Sequence, residues 1–117
     1  MPKKIIVIED DTDILDIMTY ILSDEGYEVL ASADCRILDD VQLHQPMLIL
    51  MDNRLNNGLG KDFCKKFKSD PANVKFPVVL VSANRGLEEM ALESNADAYL
   101  KKPFDIAELI DMVKRYG

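Results

Sequence analysis

Features that mark several protein classes are scarce in this sequence of 117 residues. Its two cysteines, Cys35 and Cys64, stand singly rather than as a Cys-x-x-Cys pair, so neither a zinc site nor a disulfide framework is expected. Glycine and proline number five each, too few for a collagen-like or disordered chain. We therefore expect reduced, structural thiols in a globular protein of a reducing compartment.

Basic residues and long apolar runs are also in short supply. The chain has 14 Lys and Arg against 21 Asp and Glu, a formal net charge of −7, whereas a nucleic-acid-binding module needs a concentrated basic face. The longest apolar run, Met47–Met51, is far short of the ~20 residues of a membrane span. The apolar stretch Ile5–Ile8 is too short for a signal peptide. We predict a cytoplasmic protein that binds neither nucleic acid nor membrane.

The sequence does contain short apolar stretches that alternate with helical patterns. Apolar residues make up 48% of the chain, enough to bury a core. Five stretches are β-branched or apolar, several without polar alternation, which is typical of strands covered on both faces. They are Lys4–Ile8, Tyr27–Ala31, Met47–Met51, Pro77–Val81 and Ala98–Leu100.

Helical patterns follow each of these stretches. The predicted ranges are about 13–25, 34–44, 61–69 and 87–94, and a fifth helix follows a capping box formed by Asp105 and Glu108. Three predicted buried faces are Ile14, Ile17, Met18, Ile21 and Leu22 in the first helix, Phe63, Cys64 and Phe67 in the third, and Ile106, Leu109, Ile110 and Val113 in the fifth. Gly26 supplies the stop of the first helix.

Five β-α units in strict alternation predict an α/β fold with a doubly wound five-stranded parallel sheet and helices on both faces. No linker or repeat interrupts the pattern, so we expect one domain over residues 1–117. In such a sheet the functional crevice lies beyond the carboxyl ends of the strands. The residues that follow the strands are therefore the candidates for function.

Three carboxylates, a hydroxyl and an amine follow the predicted strands. Glu9 and Asp10 come after the first, Asp52 after the third, Ser82 after the fourth and Lys102 after the fifth. Clustered carboxylates repel one another, and all-oxygen ligands favour a hard cation, Mg²⁺ before Ca²⁺.

The acidic residues after strand one have two other interpretations. An EF-hand loop that starts at Asp11 is excluded because its sixth position is Asp16 and not glycine. Acids that suit the start of a helix dipole are a sufficient explanation for Asp11 and Asp13.

Asp52 is the predicted centre of the chemistry. A carboxylate after a buried strand can attack phosphorus if a metal and a cation neutralise the incoming phosphoryl oxygens. Lys102 can be that cation, and the Ser82 hydroxyl can donate a hydrogen bond to another phosphoryl oxygen. The predicted reaction is phosphoryl transfer to Asp52.

At this point the whole chain resembles the receiver domain of two-component response regulators, the CheY-like family. The motifs that carry the resemblance are Ile-Glu9-Asp10, Leu-Ile-Leu-Met-Asp52, Gly60, Val-Ser82-Ala83 and Ala-Asp-Ala-Tyr99-Leu-Lys-Lys102-Pro103-Phe104. The resemblance implies a flavodoxin-like sheet with strand order 2-1-3-4-5. It also implies that a sensor histidine kinase or a histidine phosphotransfer protein phosphorylates Asp52 in a phosphorelay.

The resemblance further assigns roles around the site. It implies that Glu9, Asp10, Asp52 and the backbone carbonyl of Arg54 hold Mg²⁺, and that Lys102 pairs with the phosphoryl group. Ser82 and Tyr99 are then the switch residues that alter the surface of helix four, strand five and helix five for an unidentified protein partner. Such a switch catalyses only its own phosphorylation and dephosphorylation, as a monomer or a weak dimer through that surface.

A few positions either flank the site or differ from the usual pattern of the family. Arg54 and Asn84 correspond to residues that set the phosphoryl lifetime in the family. Asn56 stands where the family usually has proline, and Asn95 where a glycine usually follows helix four. The segment between Ser82 and Lys102 is short for the family, so helix four is expected to be short or irregular.

Three other functions are possible for such a fold, and each predicts different residues. A pseudo-receiver would be a constitutive binding module without phosphoryl chemistry, and it predicts damage to the acidic pair, Asp52 or Lys102, which are intact. An aspartyl phosphohydrolase typically has a second acid two residues after its nucleophile, where this chain has Arg54. A nucleotide or flavin module fits the fold, but no glycine-rich loop follows strand one.

Overall fold

A five-stranded parallel sheet lies at the centre of the computed structural model, which describes residues 3–117. Its strands are β1 (Lys4–Ile8), β2 (Glu28–Ser32), β3 (Leu48–Asp52), β4 (Val78–Ser82) and β5 (Ala98–Lys101). Their order is β2-β1-β3-β4-β5, and all neighbours pair in parallel. The predicted fold and strand order are confirmed, and each strand lies within one residue of its predicted bounds.

Five α-helices connect and follow the strands. They are α1 (Thr12–Asp24), α2 (Val41–His44), α3 (Gly60–Lys68), α4 (Leu87–Glu93) and α5 (Ile106–Lys114). Two 3₁₀ helices, Cys35–Asp40 and Pro71–Asn73, precede α2 and follow α3. A short antiparallel hairpin of Arg54–Leu55 and Gly58–Leu59 lies in the loop after β3. Helix α4 has seven residues and is short, as expected.

Alternate residues of the buried strands point to two hydrophobic cores, one on each face of the sheet. One core contains Ile6, Ile8, Ile49, Met51, Val78 and Leu80 from the sheet. These side chains pack against α3, against the start of α4 and against the helical segment that precedes β3. The other contains Ile5, Val7, Leu48, Leu50, Val79, Val81 and Leu100, packed against α1 and α5. The helices thus cover both faces, as a doubly wound sheet requires.

The predicted second helix differs from the structure. Only Val41–His44 is α-helical, and Cys35–Asp40 is a 3₁₀ helix. The Asp34 side chain accepts a hydrogen bond from the Arg36 backbone N–H and starts a tight turn. Cys35–Asp40 contains the β-branched Ile37 and two successive acids, Asp39 and Asp40, which are weak helix formers. The prediction of one α-helix over 34–44 is therefore wrong.

Two residues assigned to buried helix faces are exposed. Ile17 is 59% and Ile106 is 58% exposed. In α1 the fully buried positions are Met18 and Leu22, one turn apart, and Ile17 lies at the flank of that stripe. In α5 packing on the sheet begins at Leu109, so Ile106 precedes it in the first turn. The periodicity identified the correct faces but predicted them too wide.

Other local predictions are confirmed. Gly26 follows α1 with a φ of 95°, and Asn95 follows α4 with a φ of 62°, a conformation that asparagine tolerates. The Asp105 side chain and the Glu108 side chain each cap the other's backbone N–H at the start of α5. Among residues 3–117, no helix has the length and apolar character needed to cross a membrane.

Candidate functional site

The candidate site lies at the carboxyl ends of β1, β3, β4 and β5. Strands β1 and β3 are neighbours, with Ile8 paired to Met51, so Glu9 and Asp52 extend side by side. The chain leaves β1 towards one face of the sheet and β3 towards the other, which opens a crevice between them. The predicted convergence of strand-end residues is confirmed.

Three carboxylates form the acidic part of the site. Oxygen atoms of Glu9, Asp10 and Asp52 lie within 4.8 Å of one another. Glu9 is only 2% and Asp52 only 7% exposed, whereas Asp10 is half-buried at the opening. Oxygen ligands alone, one of them close to solvent, suit a hard divalent cation that keeps some of its water. These residues could hold a metal ion.

A lysine ammonium group pairs with both buried carboxylates and offsets part of their negative charge. The Lys102 Nζ donates to Glu9 Oε1 at 2.5 Å and to Asp52 Oδ1 at 2.9 Å. Burial acts to lower the pKa of Lys102, but the hydrogen bonds to both carboxylates outweigh it, and the pKa is raised. The Lys102-Pro103 peptide bond is cis. Lys102 is therefore a fixed positive charge at the floor of the site.

Glu9 has a raised pKa. Burial is the main cause, since it disfavours the charged carboxylate, and the negative charge of Asp52 adds to the effect. The hydrogen bond from Lys102 acts in the opposite direction without cancelling the shift. A divalent cation would favour the charged form of Glu9, so binding one would offset the cost of burying this carboxylate.

The remaining predicted residues line an open cleft beside Asp52. The cleft is bounded by Asp52, Arg54, Ser82, Ala83, Asn84 and Lys102. Asp52 Oδ2 accepts from the Arg54 backbone N–H at 3.1 Å, and the Arg54 side chain is exposed. Ser82 Oγ accepts from the Asn84 backbone N–H at 3.0 Å, so its own proton remains available for a ligand in the cleft.

Tyr99 lies away from the acidic cluster. It is on β5, 41% exposed, in a groove between α4 and α5 that Leu92 and Met112 also line. The structure thus places this predicted switch residue on the surface of α4, β5 and α5, one strand from Ser82.

Two supporting residues were not assigned roles from the sequence. Asn53 is 1% exposed, and its Oδ1 accepts from the Lys61 backbone N–H at 3.0 Å, which caps α3. A Cβ on Gly60 would lie 2.3 Å from the Asp52 carbonyl oxygen. The start of α3 therefore packs directly on the backbone of Asp52. In the sequence Gly60 is one residue of the family motif, which does not reveal this contact, and nothing about the polar Asn53 indicates that it is buried.

Fold and site together define a doubly wound α/β protein with a carboxylate cluster that could hold a cation, and with a partly buried lysine beside it, at the carboxyl edge of its sheet. The sequence profile of the response regulator receiver domain matches residues 5–114. The chain therefore belongs to the receiver-domain family of two-component signalling.

Similar proteins agree with this assignment. The phosphate regulon transcriptional regulatory protein PhoB of Escherichia coli is 34% identical over 97% of the chain and 51% of PhoB. The polar-differentiation response regulator DivK of Brucella anthropi is 30% identical over 99% of the chain and 97% of DivK. The chain thus spans about half the length of PhoB and nearly all of DivK.

A solved structure is similar in fold and sequence. The receiver domain of the sensor histidine kinase PA1611 from Pseudomonas aeruginosa superimposes with a TM-score of 0.88. It is 26% identical, over 99% of this chain and 98% of that one, and it has a magnesium ion coordinated in its active-site cleft.

Proposed function

We propose that this chain is a phosphorylatable response-regulator receiver whose phosphoacceptor is Asp52. The donor is a sensor histidine kinase or a histidine phosphotransfer protein. An Asp52 carboxylate oxygen attacks phosphorus, an O–P bond forms, and the P–N bond of the donor's phosphohistidine breaks. The chain therefore acts as a switch that catalyses only its own phosphorylation and dephosphorylation.

The observation that carries this proposal is the set of charges around Asp52. Its Oδ1 is 2.9 Å from the Lys102 ammonium, and its carboxylate is part of the three-carboxylate cluster. Buried negative groups this close need compensating positive charge, which a phosphoryl group would need as well. A cluster that served only to stabilise the fold would not need the carboxylates of Glu9 and Asp10 beside that of Asp52.

The carboxylates also fit the ion that the reaction needs. We assign Glu9, Asp10, Asp52 and the backbone carbonyl of Arg54 as the ligands of Mg²⁺, which when bound supplies positive charge beside the phosphoryl oxygens. The magnesium ion in the PA1611 receiver supports the choice of metal. Lys102 then binds a phosphoryl oxygen in place of Asp52 Oδ1, while Ser82 donates its hydroxyl proton to another.

The output of the switch is assigned to the surface of α4, β5 and α5. Ser82 ends β4 and is followed by the segment that leads to α4, so a movement of its hydroxyl towards a phosphoryl group is transmitted to that helix. Tyr99, half-exposed beside α4, then turns inward, and the altered surface binds a downstream protein partner or a second copy. Arg54 and Asn84, at the edge of the cleft, tune how long the phosphoryl group survives.

Intact-mass spectrometry tests the reaction. Wild-type protein incubated with acetyl phosphate is expected to gain one phosphoryl group with Mg²⁺ and none with a chelator. Asp52→Asn should gain none, whereas Asp62→Asn, which alters an exposed acid on α3, should behave as wild type.

Rapid hydrolysis is separated from a failure to react by beryllofluoride, a non-hydrolysing phosphoryl mimic. Binding of Mg²⁺ and beryllofluoride to wild type but not to Asp52→Asn would support the proposal. If the protein shows no mass gain and does not bind beryllofluoride, the proposal is rejected in favour of the pseudo-receiver, a constitutive protein-binding module.

A further inference from the structure

A second lysine, buried and unrelated to the acidic cluster, lies at the opposite end of the sheet. Lys68 is the last residue of α3, and only 5% of its side chain is exposed. Because α3 runs back from the carboxyl edge, Lys68 lies at the amino ends of β4 and β5. The proposed phosphoryl chemistry makes no use of this buried charge.

Three acceptors from two separate segments surround the ammonium group. Lys68 Nζ donates to the carbonyl oxygens of Val74 at 3.2 Å and Phe76 at 2.7 Å, and it pairs with Asp97 Oδ2 at 2.8 Å. An ammonium group has three protons, so all of its donors have a partner. We call these four residues the Lys68 clamp.

Asp97 connects the Lys68 clamp to the sheet. Its Oδ2 also accepts from the Val78 backbone N–H at 2.8 Å, and its own N–H donates to the Val78 carbonyl at 2.8 Å. The regular pairing of β4 with β5 begins one residue later, at Val79 and Ala98. Asp97 thus fixes the end of the turn between α4 and β5 to the first residue of β4.

The two ends of α4 are held by different kinds of contact: the apolar side chain of Leu87, 4% exposed, packs the N-terminal end into the core, whereas hydrogen bonds hold the C-terminal end. At its C-terminal end Ser94 is 2% exposed and donates to the Ala91 carbonyl, and the Ala96 N–H donates to that same carbonyl at 2.9 Å. At its N-terminal end Gly86 has a φ of 72° and is exposed. No atom of residues 3–117 beyond its chain neighbours lies within 4 Å of the position that a Cβ would take.

We propose that the Lys68 clamp fixes the turn between α4 and β5 as a pivot, so that a change at Ser82 moves the Gly86 end of α4 about it. Lys68 is in this sense a positioning residue for the output surface, and the inference rests on the proposed function. The clamp confines movement to the end of α4 nearer the site. An ammonium group suits the task because a buried charge that loses its acceptors is strongly unfavourable.

Hydrogen–deuterium exchange of the resting protein tests the clamp without using the site. In Lys68→Met the amides of Ser94–Asp97 and Val78 should exchange about tenfold faster than in wild type, which corresponds to the loss of about one charge-assisted hydrogen bond. Lys66→Met, an exposed lysine of the same helix, is the matched control and should not change them. Asp97→Asn, which keeps an acceptor but not the charge, provides a second variant if Lys68→Met does not fold.

The response to Mg²⁺ and beryllofluoride tests the pivot. In wild type and Lys66→Met we expect altered exchange between Ser82 and Met90 and unaltered exchange over Ser94–Asp97. In the clamp variants the alteration should extend into Ser94–Asp97, which a merely destabilised core would not produce.

The outcomes separate the two proposals. Exchange over Ser94–Asp97 that is equal in Lys68→Met and Lys66→Met overturns the clamp, and a response to beryllofluoride with the same extent in both overturns the pivot. A wild-type protein that does not respond at all contradicts the proposed function and with it the pivot. In that case the comparison of Lys68→Met with Lys66→Met in the resting protein still tests the Lys68 clamp.

Discussion

Two lysines that pair with carboxylates lie at opposite ends of the sheet and differ in their partners. Lys102 faces the carboxyl groups of Glu9 and Asp52, while Lys68 has one carboxylate and two backbone carbonyls. A surplus of negative charge therefore remains at the first site but not at the second. In the proposed function, that surplus is what favours a cation, and with it a phosphoryl group, at the carboxyl edge of the sheet.

Replacing Lys102 with methionine should destabilise the protein in the absence of divalent cations. The change leaves Glu9 and Asp52 facing one another without the ammonium between them, and the expected loss in free energy of unfolding is about 1.5–3 kcal/mol. Urea unfolding measures it, with the exposed neighbour Lys101→Met as the control. Mg²⁺ should restore part of the loss. Equal stability of the two variants would contradict the role of Lys102.

Stabilisation by Mg²⁺ should weaken on acidification before an ordinary glutamate would titrate. Burial raises the pKa of Glu9 above its usual 4.5, and a metal ligand must be deprotonated. The metal-free folded state correspondingly favours protonated Glu9, so this group's contribution to stability is present below pH 4.5 and is lost as pH rises through the raised pKa.

The thermal midpoint measured with and without Mg²⁺ between about pH 5 and about pH 8 checks this expectation. The gain from Mg²⁺ should shrink towards the acid end, and Glu9→Gln should remove most of that pH dependence. A gain that stays constant down to the acid end of this range would show that Glu9 is not a ligand with a raised pKa.

At the scale of elements, the contact between the end of β3 and the start of α3 positions Asp52. Gly60→Ala places a Cβ 2.3 Å from the Asp52 carbonyl oxygen, so α3 must shift. We expect a loss of about 1–3 kcal/mol in unfolding free energy, with weaker binding of Mg²⁺. Gly86→Asn is the control and should cost less than about 1 kcal/mol, since asparagine tolerates that φ. A Gly60→Ala protein with unchanged stability and metal binding would refute the close contact.

The elements differ in how far the sequence predicts them. Strands buried on both faces are continuous apolar runs, so each was predicted to within one residue. The segment Cys35–Asp40 was not, because local spacing barely separates a 3₁₀ helix from an α-helix. Ile17 and Ile106 were misplaced because periodicity identifies an apolar face but not how much of it a neighbour covers.

The candidate site was predictable where it follows from topology. Glu9, Asp52 and Lys102 each end or follow a strand, and parallel strands bring those positions to one edge. The buried Asn53 cap and the Lys68 clamp were not predicted. Both join residues from different elements, and polar residue types give no indication that a side chain will be buried.

At the scale of the whole molecule, both thiols report on global unfolding. Cys35 and Cys64 are buried in the same core, and burial is the main cause that raises their pKa values to about 12 and about 11. Only a thiolate reacts readily with iodoacetamide. We therefore expect negligible alkylation of the folded protein at about pH 8 and rapid double alkylation in urea, followed by intact mass. Rapid alkylation of either thiol without urea would contradict this core.

The central claim is that Asp52 and no other residue receives the phosphoryl group. The most direct test is to phosphorylate the protein with acetyl phosphate and Mg²⁺, reduce the acyl phosphate with borohydride, and map the modified residue by tandem mass spectrometry. Our account predicts reduction of Asp52 alone, converting it to homoserine. Modification at Asp10 or at the single histidine, His44, with Asp52 unchanged, would contradict it.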